Sequence, residues 1–271
     1  MPMFRHSSFS RVRQPAVAGQ FYPANPAELR AMIEGFIRQV KPETGQVPKA
    51  VIAPHAGYVY SGPIAASAYA RLAKGRAMIR RIVLLGPSHH VPFRGLGLSS
   101  AEAFATPLGN VQLDTECTRA LAAVPQVVVL DEAHAYEHSL EVHLPFLQVV
   151  LDDFRLVPIV VGDAKDTEVA DVIDKLWGGP ETRIIISSDL SHYCDYKTAQ
   201  ELDRAAADAI ERLCPDEISD EQACGAAPIR GMLHAAKRRG LRARTVDLRN
   251  SGDTAGPRTR VVGYGAFVFE E

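Results

Sequence analysis

Nine histidines occur in the 271 residues, and four of them close apolar runs. His55 follows Val51-Ile-Ala-Pro54, His89 and His90 end Arg81-Ile-Val-Leu-Leu-Gly-Pro-Ser-His-His90, and His192 ends Ile184-Ile-Ile-Ser-Ser-Asp-Leu-Ser-His192. A neutral imidazole offers a lone pair to zinc, iron, copper or nickel, and it moves protons near neutral pH. Singly, each of these histidines reads as a hydrogen-bonded loop residue. Together they read as one site, because ligands of an open α/β sheet bind beyond the carboxyl ends of its strands. Asp189, three residues before His192, is placed to fix the tautomer of an imidazole, a common task of carboxylates around metal-binding histidines. Adjacent side chains rarely reach one point, so His89 and His90 read as one site residue and one neighbour, and spacing leaves open which is which.

A second cluster, Asp131-Glu-Ala-His-Ala-Tyr-Glu-His-Ser-Leu-Glu-Val-His-Leu-Pro145, carries His134, His138 and His143 among Glu132, Glu137 and Glu141. If a helix begins near Ser139, Glu141 lies in its first turn, where a carboxylate meets the positive dipole end. Ser139 with the acidic residues equally suits ordinary capping. Glu141 and His143 are two residues apart and point to different helix faces, which excludes a HExxH zinc-protease arrangement.

Other chemistries lack their motifs. No GxGxxG follows a strand, and neither a GxxxxGK[ST] loop nor a GxSxG elbow occurs. Ser, Asp and His lie close in Ser187–His192, but a hydrolytic triad is defined by spatial placement. The four cysteines, Cys117, Cys194, Cys214 and Cys224, show no CxxC spacing, which fits a reducing cytosol. A net charge of -2 gives no footprint for nucleic acid or an anionic membrane. The basic run Lys237–Arg244 reads as a solvated helix end capped by Gly240. The start, MPMFRHSSFSRVRQPAV, lacks the apolar core of a secretory signal, and no run approaches the roughly 18 apolar residues of a membrane span. A soluble, cytoplasmic protein is expected.

The elements that must position these side chains are legible as alternating patterns. Ala50–Ala53, Arg81–Leu85, Val127–Leu130, Leu156–Val161 and Arg183–Ser187 are apolar throughout, as strands covered on both faces are. Helical periodicity spans Pro26–Gln39, Pro63–Leu72, Leu140–Leu151, Thr167–Leu176, Ala199–Leu213 and Ala226–Arg239. Val261–Phe269 alternates as a closing strand. A hydrophobic fraction of 46 % supports a large core. The expected architecture is one three-layer α/β domain over residues 1–271, around a mostly parallel or mixed central sheet, with 1–14 as a flexible N-terminal segment.

Six ordered motifs carry a resemblance. Ala18-Gly-Gln-Phe-Tyr-Pro23, Ala53-Pro-His-Ala-Gly-Tyr-Val-Tyr-Ser-Gly62, Leu85-Gly-Pro-Ser-His-His90, Glu137-His-Ser-Leu-Glu-Val-His-Leu-Pro145, Ser187-Ser-Asp-Leu-Ser-His192 and Cys224-Gly-Ala-Ala-Pro-Ile229 resemble the Memo family, from about Ala18 to Phe269. That family in turn is similar to the LigB-type, class III extradiol dioxygenases, which are non-haem iron enzymes. The resemblance implies a LigB-like α/β fold with a metal-capable pocket at one end of the sheet. It maps metal ligands onto His55, His89 and Cys224, and it places His192 as the acid/base residue, supported by Asp189. His90, Glu141, His143 and Tyr58 are then expected to line the pocket. The implied cofactor is Fe(II), with copper or zinc as alternatives. Cys224 stands where the dioxygenases have a carboxylate, and a soft thiolate shifts metal preference and adds an oxidisable group. Two functions follow from the resemblance: a metal-dependent oxidoreductase, or a non-catalytic module binding a metal, a peptide or a small ligand. It further implies a pathway shared with a radical SAM protein and an AMMECR-type protein.

Overall fold

Strands that are apolar along their whole length need cover on both faces, and four of the five such runs form the middle of the sheet. The fifth, Val127–Leu130, instead supplies an edge strand with Val128 and Val129 exposed. The computed structural model describes residues 12–271. Strand β1 (Val12–Arg13) and helix α1 (Pro26–Gln39) precede β2 (Ala50–Ala53) and α2 (Tyr58–Leu72). Strands β3 (Arg81–Pro87), β4 (Leu96–Leu98), β5 (Ala103–Thr106) and β6 (Gly109–Gln112) lead to α3 (Thr115–Leu121) and β7 (Val127–Val129). Short helices α4 (Asp131–Ala135), α5 (His138–Glu141) and α6 (His143–Val150) follow. Then come β8 (Arg155–Val161), α7 (Asp166–Lys175), β9 (Thr182–Ser187), β10 (His192–Cys194) and α8 (Tyr196–Glu211). The chain finishes through α9 (Ala226–Arg238), β11 (Arg242–Asn250) and β12 (Val261–Glu270).

The main sheet runs β10-β12-β2-β9-β3-β8-β4-β7, with β11 also paired to β12. Its centre, β2-β9-β3-β8, is parallel, while β12 and β4 are antiparallel to their neighbours β2 and β8. The sheet is therefore mixed around a parallel middle. Alternate residues feed two cores. Val51, Ala53, Ile82, Leu84 and Ile185 pack with residues of α1, α2 and α6, and Ala50, Ile52, Val83, Leu85, Ile184 and Ile186 pack with residues of α7, α8 and α9. This is the three-layer α/β domain expected, with both faces covered by helices. Register then levels the strand ends: Ala53 lies beside Ser187, and Leu85 beside Ile186. The loops after β2, β9 and β3 leave side by side, and these are the histidine-bearing loops.

Two expectations are corrected. The single helix over Leu140–Leu151 is two helices, α5 and α6. Pro145 has no N–H to give the carbonyl of Glu141, so the helix restarts with Pro145 in its first turn, where no intrahelical bond is lost. The basic run does end a helix, and Gly240 takes the left-handed φ of +68° expected of a C-terminal cap. Its arginines Arg242 and Arg244, however, begin β11, whose residues are only partly covered, so no apolar pattern marked it.

Residues 1–11 of the segment 1–14, expected as flexible, lie outside the described residues, but Val12 and Arg13 form a strand against β5. Arg13 explains why the chain is held there. Its Nε donates to the carbonyl of His134 (2.9 Å), its Nη2 to that of Glu137 (2.7 Å), and its Nη1 to the carboxylate of Glu141. Glu141 is completely buried and also accepts the N–H groups of Ala16 (2.7 Å) and Val17 (3.0 Å) and the hydroxyl of Tyr22. Removing one partner of such a pair leaves a bare buried charge. Arg13→Met should therefore cost about 3–5 kcal/mol in urea unfolding, and Arg13→Met with Glu141→Leu should recover part of that loss. A single-variant cost below about 1 kcal/mol, the range of an exposed pair, would show that this pair does not anchor the strap.

Candidate functional site

The loops at the carboxyl ends of β2, β3 and β9 surround a cavity of about 860 Å³. His55, His89, His138, Asp189, His192 and Cys224 line it, together with Phe21, Tyr193, Leu202 and Val262. His55 is buried, and its ring centroid lies 5.1 Å from that of His89 and 5.6 Å from that of His138. His89 sits at the rim with 28 % of its side chain exposed.

Hydrogen bonding fixes which ring nitrogens carry protons. The Ser187 hydroxyl donates to the carbonyl of Ser139 (2.6 Å), so its single proton is used. His55 Nδ1 (2.6 Å) and His143 Nε2 (2.8 Å) both approach the same oxygen and must both be N–H donors. His55 therefore leaves Nε2 unprotonated, and that nitrogen accepts the S–H of Cys224 at 3.3 Å. His143 keeps its lone pair on Nδ1, which accepts from the Tyr69 hydroxyl (2.6 Å). His89 Nδ1 meets Glu137 Oε1 at 2.8 Å, and the other oxygen accepts the backbone N–H of His89 at 2.6 Å. In the neutral ring this carboxylate holds the proton on Nδ1 and leaves Nε2 as the donor atom for a ligand.

Asp189 supports His55 rather than the ring of His192: its Oδ1 accepts the backbone N–H of His55 at 2.7 Å. Cys224 reaches the same corner because Gly225 lets its loop close on the end of β9. A Cβ on Gly225 would lie 2.5 Å from the Ser187 carbonyl. His192 lines the cavity on β10.

All four expected pocket residues lie elsewhere. Glu141 turns to the Arg13 strap, Tyr58 is buried and donates to the carbonyl of Val142 (2.6 Å), and His143 sits beneath the cavity behind Ser187. His90 is exposed, with its ring centroid 6.0 Å from that of His138. Sequence reasoning missed the parts played by Ser187, Glu137 and His138. The cluster Glu137–Pro145 was the available signal, since its charges and imidazoles are too dense for an ordinary amphipathic helix.

Could a metal ion fit here? His55, His89 and His138 each bring a ring nitrogen within 4.8 Å of the others. His138, however, stacks on His89 with centroids 4.6 Å apart and planes inclined by 17°. Stacked rings do not aim their lone pairs at one point. Tetrahedral nitrogen and sulfur ligands lie about 3.5 Å apart, given bond lengths of about 2.0–2.1 and 2.3 Å, and the pair His55 Nε2 and Cys224 Sγ already approaches that spacing. His55, His89 and His138 are the group whose ring nitrogens converge, and Cys224 Sγ approaches that group through His55 Nε2.

Burial keeps the enclosed imidazoles neutral. It pulls His55 well below its ordinary value, assisted by the neighbouring histidines, and takes His138 and His134 down to about 4 and His143 to about 3. His192 is lowered for the same reason. Burial also pushes Asp189 up to about 7 and the Cys224 thiol up to about 12. Glu137 is pushed up by burial too, but the donors on His89 and Ser139 win and hold it at about 2.

A family model described as Memo-like protein matches residues 13–268. A MEMO1 family protein of Aquifex aeolicus is 36 % identical, covering 96 % of this chain and 99 % of its own length. Relatives of the same description from Archaeoglobus fulgidus (37 %, covering 95 % and 99 %) and Methanopyrus kandleri (39 %, covering 95 % and 98 %) match similarly. The chain belongs to the Memo family. No helix among the described residues is long and apolar enough to cross a membrane.

The buried neutral histidines set an acid limit. Their folded values lie below the unfolded 6.5, so the unfolded chain takes up protons first as pH falls. Their contribution is complete above about pH 6.5 and is lost on descending toward pH 4, by about 1.4 kcal/mol per histidine and pH unit. His143→Gln should reduce the slope of unfolding free energy between about pH 6 and 4.5 by that amount. An unchanged slope in urea melts would contradict a neutral His143.

Proposed function

We propose that this Memo-family chain is a metal-dependent oxidoreductase whose ion is held by His55, His89 and Cys224. The observation that carries the reading is the unprotonated Nε2 of His55, fixed by the Ser187 hydroxyl and hydrogen-bonded at 3.3 Å to the Cys224 thiol in the same cavity. The ion proposed is Fe(II), as the resemblance to non-haem iron enzymes implies, with copper and zinc as the alternatives that the thiolate favours. A bound iron would supply redox chemistry and a Lewis acid for a coordinated hydroxyl. The protein's own part is positional. Ser187 and Glu137 orient the ligand rings, Asp189 holds the backbone of the His55 loop, and His138 buttresses His89. His192, lowered by burial and so neutral at pH 7, serves as the base that takes a substrate proton.

One observation favours a second reading, a non-catalytic metal- or ligand-binding module. Cys224 puts an oxidisable sulfur against the ligand His55, a poor companion for oxygen chemistry. Anaerobic Fe(II) reconstitution, elemental analysis and oxygen uptake with a catechol panel separate the two. Wild type should hold about one iron, and Cys224→Ser and His89→Ala should lose most of it. His192→Ala should keep its iron while uptake falls by about 10²–10⁴. Equal metal in all four proteins would refute the ligand assignment, and full metal with no uptake on any catechol would select the module.

A further inference from the structure

In a regular strand successive side chains alternate between faces, so three consecutive residues cannot line one cavity. His192, Tyr193 and Cys194 of β10 all line the 860 Å³ cavity. The device is a bulge. His192 pairs with Val262 and Cys194 with Val261, so Tyr193 is an extra residue against β12. Its backbone adopts φ +62°, the left-handed region that a bulky side chain rarely enters. Leu213 is the only other non-glycine residue with positive φ among the described residues. Bulges beside functional sites re-aim a side chain, and a strained residue persists only where its surroundings hold it.

What the bulge presents is a large aromatic ring at the mouth, 63 % exposed. The ring is not loose. The Arg260 guanidinium lies 4.4 Å from its centroid, and the His192 ring meets it edge-on at 5.7 Å. The cavity is lined further by the apolar Phe21, Leu202 and Val262 and by the acidic Asp220 and Glu221. An exposed aromatic held by strain, next to the proposed base and backed by a cation, has no packing task to explain it.

We infer that Tyr193 is a specificity-determining residue, a platform on which a flat aromatic ring of the ligand stacks as it enters beside His192. Arg260 lies over one face of the ring and steadies it. The inference rests on the reading of this cavity as the functional site, but it does not depend on which atoms hold the metal. It also accounts for the backbone: with glycine at 193 the bulge would form at no conformational penalty, yet nothing would be there to stack.

The test is binding to the full chain by ligand-observed NMR, with 4-methylphenol as the flat probe and cyclohexanol as a puckered probe of similar size. Metal content is measured on the same samples. Tyr193→Ala and Tyr193→Gly should each weaken 4-methylphenol roughly three- to tenfold, the range for one aromatic pair, and Tyr193→Phe should stay within about twofold of wild type. Cyclohexanol should be nearly indifferent to all three. Tyr193→Gly relieves the backbone, so it keeps the test sound if the alanine variant folds poorly. Unchanged 4-methylphenol binding in Tyr193→Gly, or an equal loss for cyclohexanol, overturns the platform. If the metal content is full when that happens, the metal reading survives. If metal is absent while ring-dependent binding persists, only the metal reading fails.

Discussion

A serine hydroxyl has one proton and two lone pairs, and at Ser187 the protein uses all three. The proton goes to the Ser139 carbonyl, and the lone pairs take an N–H from His55 and another from His143. That single atom ties β9 to the loop after β2 and to helices α5 and α6. It also dictates that His55 presents an unprotonated Nε2 toward Cys224. If the hydroxyl turned, both tautomers would be free to change and the cavity would lose its defined donor. Burial makes the arrangement self-consistent, because neutral imidazoles are the forms that these bonds require.

A second network holds the first in place from outside. Arg13 binds the backbone carbonyls at His134 and Glu137 and closes on the carboxylate of Glu141. The strap that follows brings Phe21 to the cavity, where its ring lies 4.9 Å from that of His138. Glu137 in turn holds His89 through both its backbone and its ring. The segment Glu137–Glu141 thus faces two ways: one carboxylate serves the candidate ligand and the other serves the strap.

Much of this was legible before any coordinates. Uninterrupted apolar runs mark β2, β3, β8 and β9, and the sheet order brings together the histidine-bearing loops after β2, β3 and β9, as the convergence of His55, His89 and His192 suggests. Strand β11 was hidden because its half-exposed face carries Arg242, Arg244 and Arg249 instead of an apolar stripe. The partners of the histidines were hidden for a different reason. Whether a serine such as Ser187 faces a ring or a carbonyl depends on long-range packing, here against residues 132 and 44 positions away. Glu141 illustrates the limit. A carboxylate near histidines suggested the pocket, but the arginine that claims it lies 128 residues earlier.

Proton release reports directly on whether the Cys224 thiol ligates the proposed ion. Burial holds the Cys224 thiol up to about 12 in the metal-free protein, so it is protonated at pH 8, whereas burial leaves His55 neutral. Ligation by Cys224 must therefore expel one proton. Zinc affinity measured against a competing chelator should rise about tenfold from pH 7.5 to 8.5 in the wild type and stay flat in Cys224→Ser. A wild-type affinity that does not change with pH, matched by the serine variant, would mean that histidines alone hold the ion.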